Sequence, residues 1–415
     1  MLRTRTLRSR CSRQAQGRST PRHVAGLVRR SFHFAGAFTL FVAASAPADL
    51  LVTSAIDTNF GKVLRYNEET GAFIDVFIDE SAGGRGGLYI GLVIGPEGYL
   101  YISKTIARVG STGAVQRYNL ETGAFIDEFV APGTTLTRPG SLRFGADGDL
   151  YVRSSVANGP SDDHIQRYDG ATGAFLGDHV PPTHWQIADF VFGPDGNIYA
   201  TDGGNGNVQR FDGATGQYMD LFAGGIGGAF YPLVFGGDEN IYVGDAEYGR
   251  SRIKRFNGMT GELIDSFVDY GEGGLWNPAD LVFGPDGNLY VSNAGVLYGE
   301  GESCIKRYDR KAGAYLGDFV LPGSGGLNRP GQFVFSSTAS RLPEVVSITR
   351  TETADVVVRG TGAPNRLYSM QTAATPEIAA FATTSSTRAN GVGVMRWQDV
   401  PPGEAAARFY RLSAP

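Results

Sequence analysis

The sequence predicts an all-β protein, a six-bladed β-propeller followed by a small β-sandwich. Two short motifs alternate along most of the chain, the repeat region begins and ends with complementary parts of one repeat, and glycine contributes 59 of the 415 residues. This glycine content is about twice the average usage and fits an architecture with many tight turns. Radial repetition of short strands is typical of propellers.

The first motif is a pair of apolar runs around a glycine-rich turn, as in "LVFGPDGNLYVSN" (281–293). Val, Ile, Phe and Tyr favour strands. The turn has a proline that fixes φ, an aspartate that bonds its own backbone and a glycine that accepts positive φ. We therefore interpret it as a β-hairpin and not as a phosphate- or metal-binding loop. Related stretches lie at 92–103, 142–154, 190–202 and 233–245.

The second motif is a strand such as "IKRY" or "VQRY", a turn such as "DGATG", and a further strand such as "AYLGDF". Its copies follow one another at spacings of 43 to 52 residues, which suits one four-stranded unit each. They begin at Val63, Val115, Ile165, Val208, Ile253 and Ile305.

Both ends of the repeat region are incomplete, and they complete each other. The last apolar strand, in "GQFVFSSTAS" (331–340), has no turn and no second strand after it. The chain from residue 49 supplies second, third and fourth strands without a first. Together they make one whole unit, which gives six units closed into a ring. We predict the propeller at residues 49–338 and a sandwich of short alternating strands at 343–415.

Residues 1–48 have the composition of an export signal. They contain nine arginines, no acidic residue and the apolar run "FAGAFTLFVAASA", which ends at a small-residue cleavage site. The pair Arg29-Arg30 resembles a twin-arginine signal, while an ordinary secretory leader and a start codon assigned too early are the alternatives. We expect cleavage near Asp49 and a secreted, periplasmic or cell-surface protein, with the export route left open.

The charge of the processed chain excludes some classes of binding partner. Removal of the leader leaves 28 basic against 42 acidic side chains, a formal charge of −14. Such a surface repels phosphate backbones and anionic lipid, so we expect no nucleic acid partner and no membrane insertion. Only Cys304 remains after cleavage, which excludes an internal disulfide and a cysteine zinc cluster. The oligomeric state stays unknown.

The candidate site is the mouth of the axial channel, on the face that carries the longer and more variable loops. Four places before the glycine that ends each inner strand, the sequence has two carboxylates, a hydroxyl and an amide that would ring this mouth. These positions are Gly91, Ser141, Asp189, Pro232, Asp280 and, by match, Gln332.

Further candidates flank this ring. Some end second strands, two precede the third inner strand, and Arg143 stands where the other five repeats have valine. The predicted binding residues are Ser141, Arg143, His184, Trp185, Asp189, Asp202, Asp245, Asp280, Asn293 and Gln332.

Several roles stay open for these side chains. Asp189 and Asp280 are the candidate metal ligands, because calcium prefers carboxylate oxygens. A wetted rim whose aspartates cap backbone groups is the interpretation we favour, so no cofactor is predicted and calcium is the alternative. Arg143 either binds an anion or pairs with a rim aspartate. His184 and Trp185 either wall a small ligand or simply pack.

Six arginines of the second motif suggest an anion ring, but cross-strand ion pairs explain them better. Each lies on a third strand beside an acidic residue of the fourth strand. We predict pairs between Arg65, Arg117, Arg167, Arg210, Arg255 and Arg307 and, in the same order, Asp75, Asp127, Asp178, Asp220, Asp265 and Asp318.

Enzyme motifs are mostly missing from the sequence. No G-x-S-x-G, Walker loop, H-E-x-x-H or G-x-G-x-x-G occurs. After the leader, the only histidines are His164, His179 and His184, too few for a propeller lyase that holds zinc with several inner-strand histidines.

The motif "P-x-x-L-V-F-G-P-D-G-N-L-Y-V-S-N", followed by "I-K-R-Y" and a glycine turn, resembles the NHL-repeat family of six-bladed propellers over residues 49–338. Relatives of this shape include metal-dependent lactonases and lyases as well as pure binding scaffolds. Lactonase-type relatives place a glutamate, an asparagine and an aspartate on the axis, and no inner strand here carries a glutamate. The run 366–413, ending "RFYRLS", resembles C-terminal fibronectin-like modules of secreted bacterial proteins.

These observations favour an exported, non-catalytic scaffold that binds a protein or a glycan through its loop face. The alternative is a calcium-dependent lactonase or lyase with its site at the channel mouth. Whether the protein is an enzyme is left open, with the binding scaffold preferred.

Overall fold

The computed structural model describes most of the propeller and the strands that follow it. The described residues are 49–56, 60–79, 88–106, 112–133, 135–155, 163–182, 186–227, 232–247, 250–295, 303–336, 344–350, 356–361, 367–373, 382–388, 394–399 and 409–413. The predicted export signal lies outside them. No helix among the described residues is long and apolar enough to cross a membrane.

The first 24 strands form six antiparallel sheets of four strands each, as predicted. In chain order the strands are β1 (Asp49–Ile56), β2 (Phe60–Asn67), β3 (Phe73–Asp79), β4 (Leu88–Ile94), β5 (Tyr99–Thr105), β6 (Gly113–Asn119), β7 (Phe125–Val130), β8 (Leu142–Phe144), β9 (Leu150–Ser154), β10 (His164–Tyr168), β11 (Phe175–Val180), β12 (Ile187–Phe192), β13 (Ile198–Asp202), β14 (Asn207–Phe211), β15 (Tyr218–Ala223), β16 (Leu233–Phe235), β17 (Ile241–Glu247), β18 (Arg250–Phe256), β19 (Leu263–Val268), β20 (Pro278–Phe283), β21 (Leu289–Asn293), β22 (Cys304–Tyr308), β23 (Tyr315–Val320) and β24 (Pro330–Phe335).

We number the blades from the one that closes the ring. Blade 1 is β24-β1-β2-β3, and blades 2 to 6 are β4–β7, β8–β11, β12–β15, β16–β19 and β20–β23. The first strand in each of these orders is the inner strand, and the inner strand β24 lies beside both β4 of blade 2 and β20 of blade 6. The molecule is therefore the predicted six-bladed propeller.

Ring closure joins the two ends of the repeat region. Strand β24 pairs with β1 in antiparallel register, with Phe335 opposite Leu50 and Phe333 opposite Val52. The ring of Phe335 is fully buried and meets Tyr290 of blade 6 edge to face, with the ring centroids 4.9 Å apart. The orphan strand thus completes blade 1 and packs against blade 6, as the sequence predicts.

The glycine-rich stretch at 281–293 is a hairpin between β20 and β21. Gly287 has φ of 80°, a left-handed value that glycine accepts without strain. Gly284 N donates to Asn288 O at 2.9 Å, and Asp286 Oδ1 accepts the Asn288 N–H at 3.0 Å. The turn residues are therefore used to reverse the chain.

The core lies between the blades, where a tyrosine of the second strand meets its neighbours in blades 2 to 6. In blade 4, Tyr199 is 1% exposed and contacts Phe222 and Phe235 edge to face, with centroids 4.8 and 5.0 Å away. Tyr101, Tyr151, Tyr242 and Tyr290 make equivalent contacts in blades 2, 3, 5 and 6. Edge-to-face pairs add stability beyond the buried area.

The predicted arginine–aspartate pairs form in four blades. They are Arg65–Asp75, Arg117–Asp127, Arg210–Asp220 and Arg255–Asp265, with each Nε 3.0 or 3.1 Å from the carboxylate.

The prediction is wrong for the other two blades. Arg167 pairs with Asp149 at 2.7 Å instead of Asp178, and Arg307 lies 3.9 Å from Asp286. The reason is the glycine in "LGD", which stands opposite the arginine in both blades. These glycines occupy the register position that aspartate holds in the other four blades, and the aspartate that follows lies opposite Gln166 or Lys306 instead.

The last six strands form two three-stranded antiparallel sheets, β25-β26-β29 and β28-β27-β30. Their bounds are β25 (Glu344–Arg350), β26 (Val356–Thr361), β27 (Leu367–Ala373), β28 (Ala382–Arg388), β29 (Val394–Asp399) and β30 (Phe409–Ser413).

Candidate functional site

The axial site is built from one position repeated in the six inner strands. An inner strand has a neighbour on one side only, so its other edge carries backbone groups without a strand partner. The repeated position bears Gln332, Gly91, Ser141, Asp189, Pro232 and Asp280 in blades 1 to 6. The polar members are all buried, and Asp280 and Asp189 are only 4% and 5% exposed.

Three of these side chains cap a backbone N–H of the next blade. Asp280 Oδ2 accepts the N–H of Phe333 at 3.0 Å, which ties blade 6 to the closing strand. Gln332 Oε1 on that strand accepts the N–H of Leu92 at 3.0 Å. Asp189 Oδ2 lies 3.5 Å from the N–H of Leu233. The ring position therefore satisfies backbone donors that would otherwise be buried without a partner.

Blades 2 and 3 are joined by a hydroxyl that the sequence analysis missed. Ser103 Oγ accepts the N–H of Gly91 at 2.7 Å and donates to the Gly140 carbonyl at 2.6 Å. Thr201, at the same place in blade 4, exchanges hydrogen bonds with the backbone of Asp189. The signal was a hydroxyl residue at the same place of several second strands.

Arg143 lies at the axial site, at the inner-strand position that holds valine in the other five blades. Its Nη2 lies 3.4 Å from Asp189 Oδ1, and its Nη1 donates to the Leu142 carbonyl at 2.9 Å. Of the two roles predicted for Arg143, the structure therefore has the pair with an axial aspartate.

Burial sets the electrostatics of the two carboxyls. Removal from water raises the pKa of Asp280 to about 7, since Asp189 adds a second negative charge nearby and Arg143 lowers the pKa only in part. Burial also raises the pKa of Asp189, against the opposing effects of Arg143 and Ser141. The two carboxyls and the guanidinium therefore form one electrostatic group.

Ser141 completes this group. Its Oγ is enclosed and has no hydrogen-bond partner of ordinary geometry among the described residues. The hydroxyl lies close enough to Asp189 to lower the pKa of that carboxyl. Ser141 is therefore a buried hydroxyl beside Asp189.

The predicted residues at the ends of second strands bond to nearby loops. Asp202 accepts the Gly204 N–H at 3.0 Å and the Asn205 side-chain amide at 2.7 Å. Asn293 Oδ1 accepts the Trp276 N–H at 2.6 Å. These side chains shape the loops that lead into and out of the blades, and their hydrogen bonds do not involve the axial carboxyls.

Asp245 holds a different pair of partners. Its Oδ2 lies 2.8 Å from Arg252 Nε and 3.3 Å from Lys254 Nζ. Arg252 also covers the ring of Tyr270, with its guanidinium carbon 4.1 Å from the ring centroid. The last two predicted residues, His184 and Trp185, lie outside the described residues.

The ion pair between Arg153 and buried Asp163 escaped the sequence analysis. Arg153 Nη2 donates to Asp163 Oδ2 at 2.8 Å, and its Nε donates to the Ile187 carbonyl of blade 4 at 2.8 Å. The stem passes Gly140 so closely that a Cβ there would lie 2.7 Å from Arg153 Cδ. The signal was an arginine at the position that holds a hydroxyl residue in blades 1, 2, 4 and 6.

The axial donor set does not fit a calcium ion. Calcium takes six to eight oxygen ligands, and no group of three His, Cys, Asp or Glu side chains suited to a metal occurs among the described residues. The oxygens of Asp189 and Asp280 already accept backbone N–H groups, and the positive charge of Arg143 acts on both carboxyls.

Comparison with known proteins identifies the fold. No family model matches the sequence, and no curated protein matches it. A protein of unknown function from Bacteroides caccae is 14% identical, with a TM-score of 0.51 over 70% of this chain and 98% of that one. At this identity the likeness shows the fold alone.

Two other solved structures are less similar. A chain of a nidogen/laminin complex is 16% identical, with a TM-score of 0.49 over 70% of this chain and 98% of that one. A catalytically inactive virginiamycin B lyase from Staphylococcus aureus, solved with quinupristin, is 15% identical, with a TM-score of 0.40 over 66% and 78%. Neither likeness carries a functional argument.

Proposed function

We propose that this protein is an exported, non-catalytic propeller that binds a protein partner through its loop face. The observation that carries the proposal is the use of the axial carboxyls. Asp189 and Asp280 accept backbone N–H groups of the next inner strand, and Asp189 also pairs with Arg143. Carboxyls used in this way hold the ring together, so the channel mouth supplies a scaffold and not an acid–base pair.

The loop face offers exposed side chains in a fixed position. Arg138 and Arg329 are exposed, and each precedes a proline that leads into or begins an inner strand. Their φ values of 40° and 48°, like the 52° of Asn277 at the same place in blade 6, are left-handed. Such backbones cost non-glycine residues about 1–3 kcal/mol and cluster at functional sites.

The chemistry of this face favours a protein over a glycan. Arginine and tryptophan are enriched at protein interfaces and among their strongest contacts. Arg138 and Arg329 form no ion pair among the described residues, and half-buried Trp276 lies beside Asn277. An acidic protein surface would meet both arginines at a rigid scaffold.

The test is binding of the full chain to peptide and glycan arrays. We expect peptide ligands whose affinity falls about tenfold or more in Arg138→Ala/Arg329→Ala. Arg310→Ala is the matched control, because Arg310 is an exposed arginine in the turn between β22 and β23, on the opposite face. Binding of glycans alone would replace the protein partner by a glycan. Equal losses in both variants would contradict the loop face as the site.

Export and the flanking modules belong to the same proposal. We expect the secreted chain to begin at Asp49, which its intact mass would show, and to stay inside the cell when residues 1–48 are deleted. Arg29→Lys/Arg30→Lys would block export only if the route is the twin-arginine one. We also propose that the propeller is of the NHL-repeat type and that the C-terminal strands are a fibronectin-like sandwich acting as a spacer or second contact.

A further inference from the structure

Asp49 lies where the two ends of the propeller meet. It begins β1, and its neighbour Leu50 pairs with Phe335 of the closing strand. Its backbone N–H donates to Ser336 Oγ at 2.7 Å. The residue is only 9% exposed, and its Oδ1 is enclosed without a hydrogen-bond partner among the described residues. This carboxylate oxygen therefore lacks the donor that buried polar groups normally have.

The guanidinium beside Asp49 already serves another carboxylate. Arg65 Nη1 lies 3.6 Å from Asp49 Oδ2, beyond hydrogen-bond distance. Arg65 Nε donates to Asp75 Oδ1 at 3.0 Å, and its Nη2 donates to the other oxygen of Asp75. Burial raises the pKa of Asp49, Arg65 opposes this rise, and the negative charge of Asp75 adds to it. Two carboxylates therefore share one cation at this place in blade 1.

The position of Asp49 recurs in all six blades, and its occupants show what is unusual in blade 1. It directly precedes the second-strand residue that lies opposite the aromatic residue after the arginine. In blades 2, 4 and 5, where the arginine also pairs with a fourth-strand aspartate, the position holds the uncharged residues Tyr99, Asn197 and Asn240. Blade 3 has Asp149 there, and Arg167 Nε donates to it at 2.7 Å. Asp49 therefore lacks the partner that Asp149 has.

We infer that removal of the leader supplies the missing partner as the α-ammonium group of Asp49, and that this group stabilises the closed blade 1. Hydrolysis of the Ala48–Asp49 peptide bond by a leader peptidase consumes one water molecule, whose hydroxyl joins the Ala48 carbonyl carbon. The nitrogen of Asp49 takes the remaining hydrogen and, at neutral pH, the proton of the new carboxylic acid. The inference rests on the proposed function in taking Asp49 as the first residue of the secreted chain.

The position of the Asp49 nitrogen suits this role. As an ammonium group it can keep its hydrogen bond to Ser336 Oγ, and it gains two N–H donors. The carboxylate belongs to the same residue, so two of the three staggered rotamers place an oxygen within reach of the nitrogen. The ammonium charge and that of Arg65 together balance the carboxylates of Asp49 and Asp75. Because the uncleaved chain has a neutral amide at this place, leader removal adds an ion pair where β1 and β24 meet.

The secreted chain and a chain with Gly-Ser inserted between Ala48 and Asp49 test the inference. The insertion keeps the alanines of the predicted cleavage site and moves the new ammonium group two residues away from Asp49. The intact mass gives the first residue of each chain. We expect the pKa of the α-amino group, measured by the pH dependence of its reaction with an amine-selective reagent, to exceed the ordinary value of about 8 in the natural chain only.

Hydrogen exchange measures the effect on ring closure. At about pH 7 we expect the peptide covering residues 330–336 to exchange about tenfold more slowly in the natural chain than in the inserted one, the usual effect of a charged hydrogen bond. A raised pKa means that this protection is complete below about pH 8 and is lost as the pH rises through the pKa of the bound amine. The charged groups that face the amine are Arg65 of β2 and Asp75 of β3, which keep their charges in this range.

Asp49→Asn removes the carboxylate and keeps an oxygen acceptor, so its α-amino group should titrate at the ordinary value. Asp79→Asn, which removes the partner of Lys62 in the same blade, is the matched control and should behave as the natural chain does. Circular dichroism verifies that each variant is folded.

Two results would overturn the inference. Equal amine pKa values and equal exchange in the natural and inserted chains would do so while the export prediction stands. A secreted chain that begins at another residue would overturn both, and binding to the arrays would still decide the loop-face proposal.

Discussion

The axis and the outer rim of the propeller use the same residue type in opposite ways. Asp280 on the axis is 4% exposed and accepts two backbone N–H groups. Asp265 on the rim has a side chain that is 40% exposed and pairs with Arg255. Removing the partner of a carboxyl that lies in water costs little folding free energy. Removing a buried carboxyl costs more, because its former partners are then buried with neither a hydrogen bond nor solvent.

The carboxyl contacts between blades are made at the axis and not at the rim. Rim pairs recur in four blades, yet each joins two strands of one blade. Axial side chains are fewer, and those of Asp280, Gln332 and Asp189 each reach a different blade. Four predictions test this difference between the axis and the rim.

The largest effect is expected at Asp189. Asp189→Ala leaves Arg143 buried without its carboxylate, so we expect the free energy of unfolding to fall by about 3–5 kcal/mol. Urea denaturation followed by tryptophan fluorescence measures this change. In the matched rim variant Asp265→Ala the loss should be at most about 1 kcal/mol. Equal losses at the two sites would remove the distinction between axis and rim.

The pH dependence of stability should report Asp280. Its pKa is about 7 in the folded chain and about 3.9 when unfolded, so between these values the native state binds more protons. The free energy of unfolding contributed by this group therefore falls as the pH rises from about 4 to about 7. Asp280→Asn should flatten the slope in this window, measured by urea denaturation at several pH values. An unchanged slope would show that Asp280 titrates normally.

A smaller loss is expected on the closing strand. Gln332→Ala leaves the buried N–H of Leu92 without its acceptor, which costs about 1–3 kcal/mol. Gln332→Glu keeps the acceptor but adds a third axial carboxyl, so it should be destabilised more at high pH than at low pH. Thermal melting of both variants checks this order. If Gln332→Ala lost no more stability than the rim variant Asp265→Ala, Gln332 would not be needed as the acceptor for the Leu92 N–H.

The smallest effect is expected for a single rim pair. In a double-mutant cycle, Arg255→Ala and Asp265→Ala should show a coupling energy below about 1 kcal/mol, because the carboxyl is exposed. High salt should reduce it further. A coupling energy of several kcal/mol would mean that the rim, and not the axis, dominates the electrostatics.

The sequence predicted the propeller well because its signals are local. Turns such as 284–287 depend on the residues within them, and the unpaired strand at 331–340 required the N-terminal strands to complete it. The arginine pairs were predicted correctly in four blades and wrongly in the two where Gly177 and Gly317 stand opposite the arginine. The sequence contains this difference, because the aspartate comes one residue later in these two repeats than in the other four.

The site was predicted only in part, because it depends on which blade each side chain reaches. The sequence analysis expected Asp189 and Asp280 at a wetted channel rim, whereas both side chains are buried. Their hydrogen bonds to Leu233 and Phe333 join residues 44 and 53 positions apart. No local pattern shows such contacts, and for the same reason Ser103 and the Arg153–Asp163 pair were missed.

Hydrogen exchange at Phe333 tests most directly whether axial side chains hold the ring closed. Exchange followed by mass spectrometry on a peptide covering residues 330–336 would compare the natural chain with Asp280→Ala and with Asp265→Ala. We predict at least about tenfold faster exchange at Phe333 in the axial variant, with no change in the rim variant or in β14. Unchanged protection of Phe333 in Asp280→Ala would show that the Asp280 side chain does not hold the ring closed.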